Sequence, residues 1–87
     1  MRVVAFHQMA FEQYNEWAVT DKKVFERVRR LITETAKTPF TGFGKPEPLK
    51  GRLKGYWSRR INDEHRLVYA VKADDIVIVA CRYHYSA

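Results

Sequence analysis

Two side chains in this sequence could do acid–base chemistry, the carboxylate of Glu47 and the imidazole of His84, and arginines between them in the chain could hold a phosphate. Glu47 sits in Lys45-Pro46-Glu47-Pro48-Leu49-Lys50. The flanking prolines restrict the backbone and aim the side chain, and the flanking lysines make its surroundings electropositive. Taken alone it would read as a solvated loop carboxylate. His84 lies between Tyr83 and Tyr85. An imidazole can act as acid or base near neutral pH, although a histidine beside two tyrosines is more often structural. RNA cleavage without a metal needs few parts. A base takes the proton of a ribose 2′-hydroxyl, the freed oxygen attacks the adjacent phosphate, cations stabilise the developing charge, and an acid protonates the departing 5′-oxygen. Glu, Arg and His permit that chemistry without singling it out. Metal chemistry has less support. His7, His65 and His84 lack ligand spacing, no carboxylate pair lies near a phosphate-binding segment, and Cys81 is a single cysteine. No metal or cofactor is therefore expected.

Positive charge gathers around the same residues. Lys45, Lys50, Arg52, Lys54, Arg59, Arg60 and Arg66 outnumber Glu47, Asp63 and Glu64, so this segment carries +4 of the net +6. Surface charges taken singly are usually a solvated face. Strand alternation concentrates these further. It groups Tyr56, Ser58 and Arg60 on one strand, Arg66, Val68 and Ala70 on the next, and Ile78, Ala80, Arg82 and His84 on the last. Arg60 and Arg66 become neighbours across a short turn. Two adjacent guanidinium groups repel unless an anion lies between them, and phosphate suits them because it is bound bidentately. Lys45, Lys50, Arg59 and Arg60 are the candidate RNA- or phosphate-binding residues.

The elements that must position these groups can be read from periodicity. Arg2–Phe6 reads as a strand. Phe11, Tyr14, Trp17 and Ala18 mark one helix, and Val24, Phe25, Val28, Leu31, Ile32 and Thr35 form the apolar stripe of a second. Asp21 is placed to cap the second helix and Pro39 to stop it. The stretch from Pro39 to Gly55 holds all three prolines and all four glycines and reads as a long functional loop. Tyr56–Ile61, His65–Val71 and Ile76–Tyr83 are strand-like, with Asn62-Asp63 and Asp74-Asp75 as turns. The order β-α-α-β-β-β predicts an α+β fold, two N-terminal helices packed on a twisted antiparallel sheet, in one domain covering residues 1–87. Trp17 and Trp57 are expected in or against the core, and His65, on the strand face opposite Arg66, is expected to be structural.

Composition bounds the partners. A basic chain of 87 residues with pI about 9.7 favours nucleic acid, an anionic membrane or an acidic protein. No apolar run approaches a membrane span, and Met1–Phe6 does not read as a signal peptide. A cytoplasmic protein is expected.

Several longer motifs occur in a recognisable order. They are Thr38-Pro39-Phe40, Gly44-Lys-Pro-Glu-Pro-Leu-Lys50, Gly55-Tyr-Trp-Ser-Arg-Arg-Ile61, Glu64-His-Arg-Leu-Val-Tyr-Ala-Val71 and Ala80-Cys-Arg-Tyr-His-Tyr85. In these the chain closely resembles the YoeB/Txe toxins, a branch of the RelE-like mRNA interferases. The motifs cover the C-terminal half almost continuously, whereas the helices match in pattern more than in identity. The resemblance implies a microbial-RNase-like RelE fold and cleavage of mRNA in the A site of the 70S ribosome, which blocks translation. It implies Glu47 as general base, His84 as general acid, Arg66 as the arginine on the scissile phosphate, and Tyr85 as a tyrosine that orients substrate or supports the acid. Lys50 and Arg60 fall on further contact positions. It also implies an acidic antitoxin that folds on binding, and a possible homodimer. Ser86-Ala87 extend past the tyrosine at which similar chains commonly end, and Phe6–Ala10 departs from the pattern. Two other readings compete: a ParE-like toxin that inhibits gyrase without nuclease chemistry, and a non-catalytic RNA-binding module. The former would lack the set Glu47, Arg66, His84 and Tyr85, and the latter would not need Glu47.

Overall fold

The computed structural model describes residues 1–84. The chain runs β1 (Val3–Phe6), α1 (Gln8–Thr20), α2 (Lys22–Lys37), β2 (Glu47–Pro48), a 3-10 turn (Gly51–Leu53), β3 (Tyr56–Arg60), β4 (Arg66–Val71) and β5 (Asp75–Ala80). The two helices and the sheet are those expected from periodicity. In α2, Val28, Leu31, Ile32, Thr35 and Ala36 are buried along one stripe. The Asp21 carboxylate accepts from the Val24 amide at 3.2 Å and caps that helix. Lys37 lies in its last turn, where a cation suits the helix dipole. The helix closes on the Thr38 amide bonding to the Glu34 carbonyl, one residue before Pro39. In α1 only Ala10 and Trp17 are buried, two turns apart. Tyr14 supplies a further hold, with its ring 5.3 Å from Phe6 and 5.0 Å from Phe25. No helix of the described residues is long and apolar enough to cross a membrane.

The sheet has five strands in the order β1-β5-β4-β3-β2. Two features refine the expected antiparallel sheet. β1 runs parallel to β5, so the sheet is mixed. That direction packs Val4 and Phe6 against the helices and feeds the chain straight into α1. The second is β2, two residues that the proline–glycine loop contributes to the edge beside β3.

The core lies between the helices and one sheet face. Leu67 and Tyr69 of β4 and Ile76 and Ile78 of β5 are fully buried there with Val28 and Leu31. Trp17 joins this core and Trp57 packs against it. The opposite face carries Glu47, Ser58, Val68 and Ala80 across four strands.

Candidate active site

The sheet face away from the helices is assembled by strand register, with Glu47 exposed at its edge and Ser58 and Val68 buried within it. Glu47 pairs with Ser58, Ser58 with Val68, and Val68 with Ala80. Cross-strand partners share a face, so these four form a row across the sheet. Strand spacing sets Glu47 and Val68 about 10 Å apart. Two residues further along, roughly 7 Å away, Arg60 pairs with Arg66. The arginine neighbours expected from alternation are thus side by side. Each leans on the β3–β4 turn. Arg60 forms an ion pair with Asp63, and Arg66 Nη1 donates to the carbonyls of Asn62 at 2.6 Å and His65 at 3.0 Å.

His84 reaches this face from beyond β5. It lines a cavity of about 210 Å³ with Leu53, Val68, Val79 and Ala80, together with Arg82 and Tyr83. Its Nε2 lies 3.0 Å from the Asp63 carbonyl, on the same turn that carries Arg60 and Arg66. Val68 and Ala80 belong both to the cross-strand row that starts at Glu47 and to the lining of the cavity beside His84. Glu47, Lys45, Lys50 and His84 are exposed and Arg66 is half-buried. Tyr85 lies outside the described residues.

The structure corrects two expectations. Arg59 is not available to RNA: it is 0% exposed. Its Nε donates to the Tyr69 hydroxyl at 3.2 Å, Nη1 to Phe43 O at 2.8 Å, and Nη2 to Thr41 O at 2.7 Å and to Thr38 O. Tyr69 in turn donates to Pro39 O at 2.7 Å. A planar guanidinium with five donors can hold three loop carbonyls and the Tyr69 hydroxyl at once. Arg59 thus anchors the loop that leads to Glu47. The second correction concerns β5. A bulge between Val68 and Tyr69 shifts the β4–β5 register, so that Ile78 pairs with Tyr69 and Ala80 with Val68. Ile78 consequently faces the helices, while Ala80 faces the cavity. The strand also ends at Ala80 and not at Tyr83. Main-chain groups of Cys81 leave the sheet for α1, the amide bonding to Gln13 Oε1 and the carbonyl to Trp17 Nε1, both at 2.8 Å.

The segment after β5 is held by Gln13, Trp17, His65 and Arg82; a packing role for Trp17 and a structural one for His65 are expected from the sequence, whereas the parts of Gln13 and Arg82 are not. The Arg82 guanidinium lies 5.2 Å from the Trp17 ring and 5.1 Å from the Tyr83 ring, and it forms an ion pair with Glu16. His65 is structural as expected, 6% exposed with its ring 4.9 Å from Trp17. No sequence signal links α1 to a segment over 60 residues away, because those contacts arise only once both pack on β5.

The chain is similar to known proteins along nearly its whole length. Residues 6–85 match the family model of the YoeB-like toxin of bacterial type II toxin–antitoxin systems. A toxin YoeB of Streptomyces coelicolor is 56% identical over 82 residues, which are 94% of this chain and 98% of that protein. Among solved structures, a YoeB dimer from Staphylococcus aureus superposes with a TM-score of 0.88 at 44% identity, covering 97% of this chain and 98% of that one. A YoeB–YefM complex from the same organism has a TM-score of 0.88 at 42% identity, covering 98% and 99%.

Proposed function

The chain belongs to the YoeB-like toxins of bacterial type II toxin–antitoxin systems, and from that premise we propose that it is a ribosome-dependent endoribonuclease that cleaves mRNA in the A site and so stops translation. The observation that carries this reading is the row from Glu47 to Ala80, with Arg66 beside it and His84 at the cavity it borders. In the proposed reaction Glu47 takes the proton of a ribose 2′-hydroxyl. The resulting oxygen bonds to phosphorus and the bond to the 5′-oxygen breaks, leaving a 2′,3′-cyclic phosphate. His84 gives a proton to the departing 5′-oxygen. Arg66 stabilises the charge on the non-bridging oxygens, the largest kind of contribution such a site makes. Arg60, Lys45 and Lys50 extend the electropositive surface along the RNA, and Tyr85 supports the acid.

Dependence on the ribosome belongs to the same reading and rests on the family resemblance. A ribosome that holds the mRNA in a fixed geometry would supply the orientation that the reaction needs.

The partner follows from charge. A net +6 suits an acidic antitoxin that orders on binding, and a YoeB relative has been solved in complex with YefM. Self-association belongs to the same reading, since another relative was solved as a dimer.

Single-turnover cleavage of mRNA on programmed ribosomes tests the assignment. Replacing His84 with Gln should lower the cleavage rate roughly 100-fold or more while ribosome affinity stays near that of the wild type. Equal losses in rate and affinity would contradict an acid role for His84.

A further inference from the structure

His65 is buried next to the proposed site, yet the proposed chemistry makes no use of it. Its Nδ1 accepts the Tyr83 amide at 2.7 Å. A ring nitrogen accepts only when it carries no proton, so the contact requires the neutral ring with its proton on Nε2. The surroundings suit that tautomer. Nε2 lies 3.6 Å from a carboxylate oxygen of Glu64, and the Trp17 ring packs against the imidazole at a 75° interplanar angle.

The residue that His65 holds is unusual. Tyr83 has φ 65°, the left-handed region, which side chains other than glycine, asparagine and aspartate seldom adopt. Such a conformation persists where the surroundings over-determine it. Here they do. The Tyr83 amide goes to His65, and the Tyr83 carbonyl accepts from the Arg66 amide at 3.1 Å. Two residues earlier, Gln13 and Trp17 hold both main-chain groups of Cys81. The chain is thus pinned up to the residue before His84. Left-handed backbone at Tyr83 turns the next residue back toward the β3–β4 turn, where His84 Nε2 meets the Asp63 carbonyl.

We propose that His65 is a positioning residue: in its Nε2-protonated neutral form it locks Tyr83 into left-handed backbone and thereby sets where His84 presents its imidazole. Its function in catalysis rests on the reading of His84 as the acid, whereas its hold on Tyr83 does not. The two amide isosteres separate these. Asparagine can place an oxygen where Nδ1 stands, and glutamine places one nearer Nε2.

The test uses the purified full chain as wild type, His65→Asn and His65→Gln. Nitrogen-15 NMR reads the His65 tautomer, amide exchange reads Tyr83, and single-turnover cleavage on ribosomes reads the chemistry. The expected result is an unprotonated Nδ1, a protected Tyr83 amide in the wild type and in His65→Asn, and loss of that protection in His65→Gln. Cleavage should fall about tenfold or more in His65→Gln, with unchanged ribosome affinity, and be largely restored in His65→Asn. A proton on Nδ1, or an unprotected Tyr83 amide in the wild type, would overturn the proposal even if both variants failed to fold. So would a His65→Gln protein that cleaves at the wild-type rate. Were the wild type to cleave nothing while the tautomer and the Tyr83 protection held, the positioning of the segment would stand and the nuclease reading would fall.

Discussion

Two arginines adjacent in sequence have opposite fates, and the difference shows what a residue type can and cannot reveal. Arg60 and Arg66 face the open side of the sheet as alternation indicated, whereas Arg59 points into the core and spends its donors on loop oxygens. The register was legible from strand period, but the burial of a charged side chain was not, because it depends on three carbonyl oxygens supplied by a loop with no regular pattern. The contrast yields a paired prediction. Replacing Arg66 with Lys should cut cleavage on the order of 100-fold, since a point charge cannot reproduce the fork on a phosphate, while the melting temperature stays close to that of the wild type. Replacing Arg59 with Lys should do the reverse in kind. An ammonium cannot span the oxygens that a guanidinium reaches, which leaves buried acceptors unpaired at about 2–3 kcal/mol, or roughly a 10 °C drop in melting temperature. Calorimetry beside the cleavage assay would separate the two. A wild-type melt for Arg59→Lys would remove its structural role.

Both helices and the last three strands follow from hydrophobic period and capping, because their apolar positions repeat at 3.6 or 2 residues. The loop between α2 and β3 does not, and it is the loop that carries Glu47. Its hidden content is backbone geometry. Gly44 has φ +88°, and a Cβ there would stand 2.6 Å from Leu31 Cδ2. Its carbonyl accepts the Arg60 amide at 2.6 Å. The glycine thus lets the loop pass close over α2 while joining β3, three residues before Glu47. Gly44→Ala should cost about 2–3 kcal/mol and lower the urea midpoint, with a cleavage rate that falls further than unfolding explains. An unchanged midpoint would show that the loop has room to spare. The bulge at Val68 and Tyr69 belongs to the same class of feature. No residue type announces it, yet it decides that Ala80 rather than Ile78 borders the site.

For the molecule as a whole, class, net charge and family were legible, since the motifs from Thr38 to Tyr85 resemble one group of toxins over half the chain. The clamp between α1 and the segment after β5 was not. It places Cys81 at 0% exposure, and burial pushes its thiol up to about 12 from 9.0. Burial likewise pushes the Tyr69 hydroxyl up, although Arg59 opposes the shift. Both groups are protonated more tightly in the folded chain than in the unfolded one. The Cys81 contribution to stability is therefore complete below pH 9 and is lost as pH rises from 9 toward about 12, while that of Tyr69 is complete below pH 10 and is lost above it. Denaturant melts should show a constant midpoint on this account up to pH 9 and a decline above it, shallower in Cys81→Ala. A thiol reagent at neutral pH should find Cys81 inert until the chain unfolds. An identical decline in Cys81→Ala would assign the loss to other groups.

The central claim concerns where a message is cut. Primer extension on an mRNA in a purified bacterial translation reaction tests it directly, with the wild-type protein and a Glu47→Ala/His84→Gln variant side by side. The account predicts new 5′ ends at a codon held in the A site, absent with the variant and absent without ribosomes. Stalled translation with no new ends, or cleavage that survives the double substitution, would contradict it.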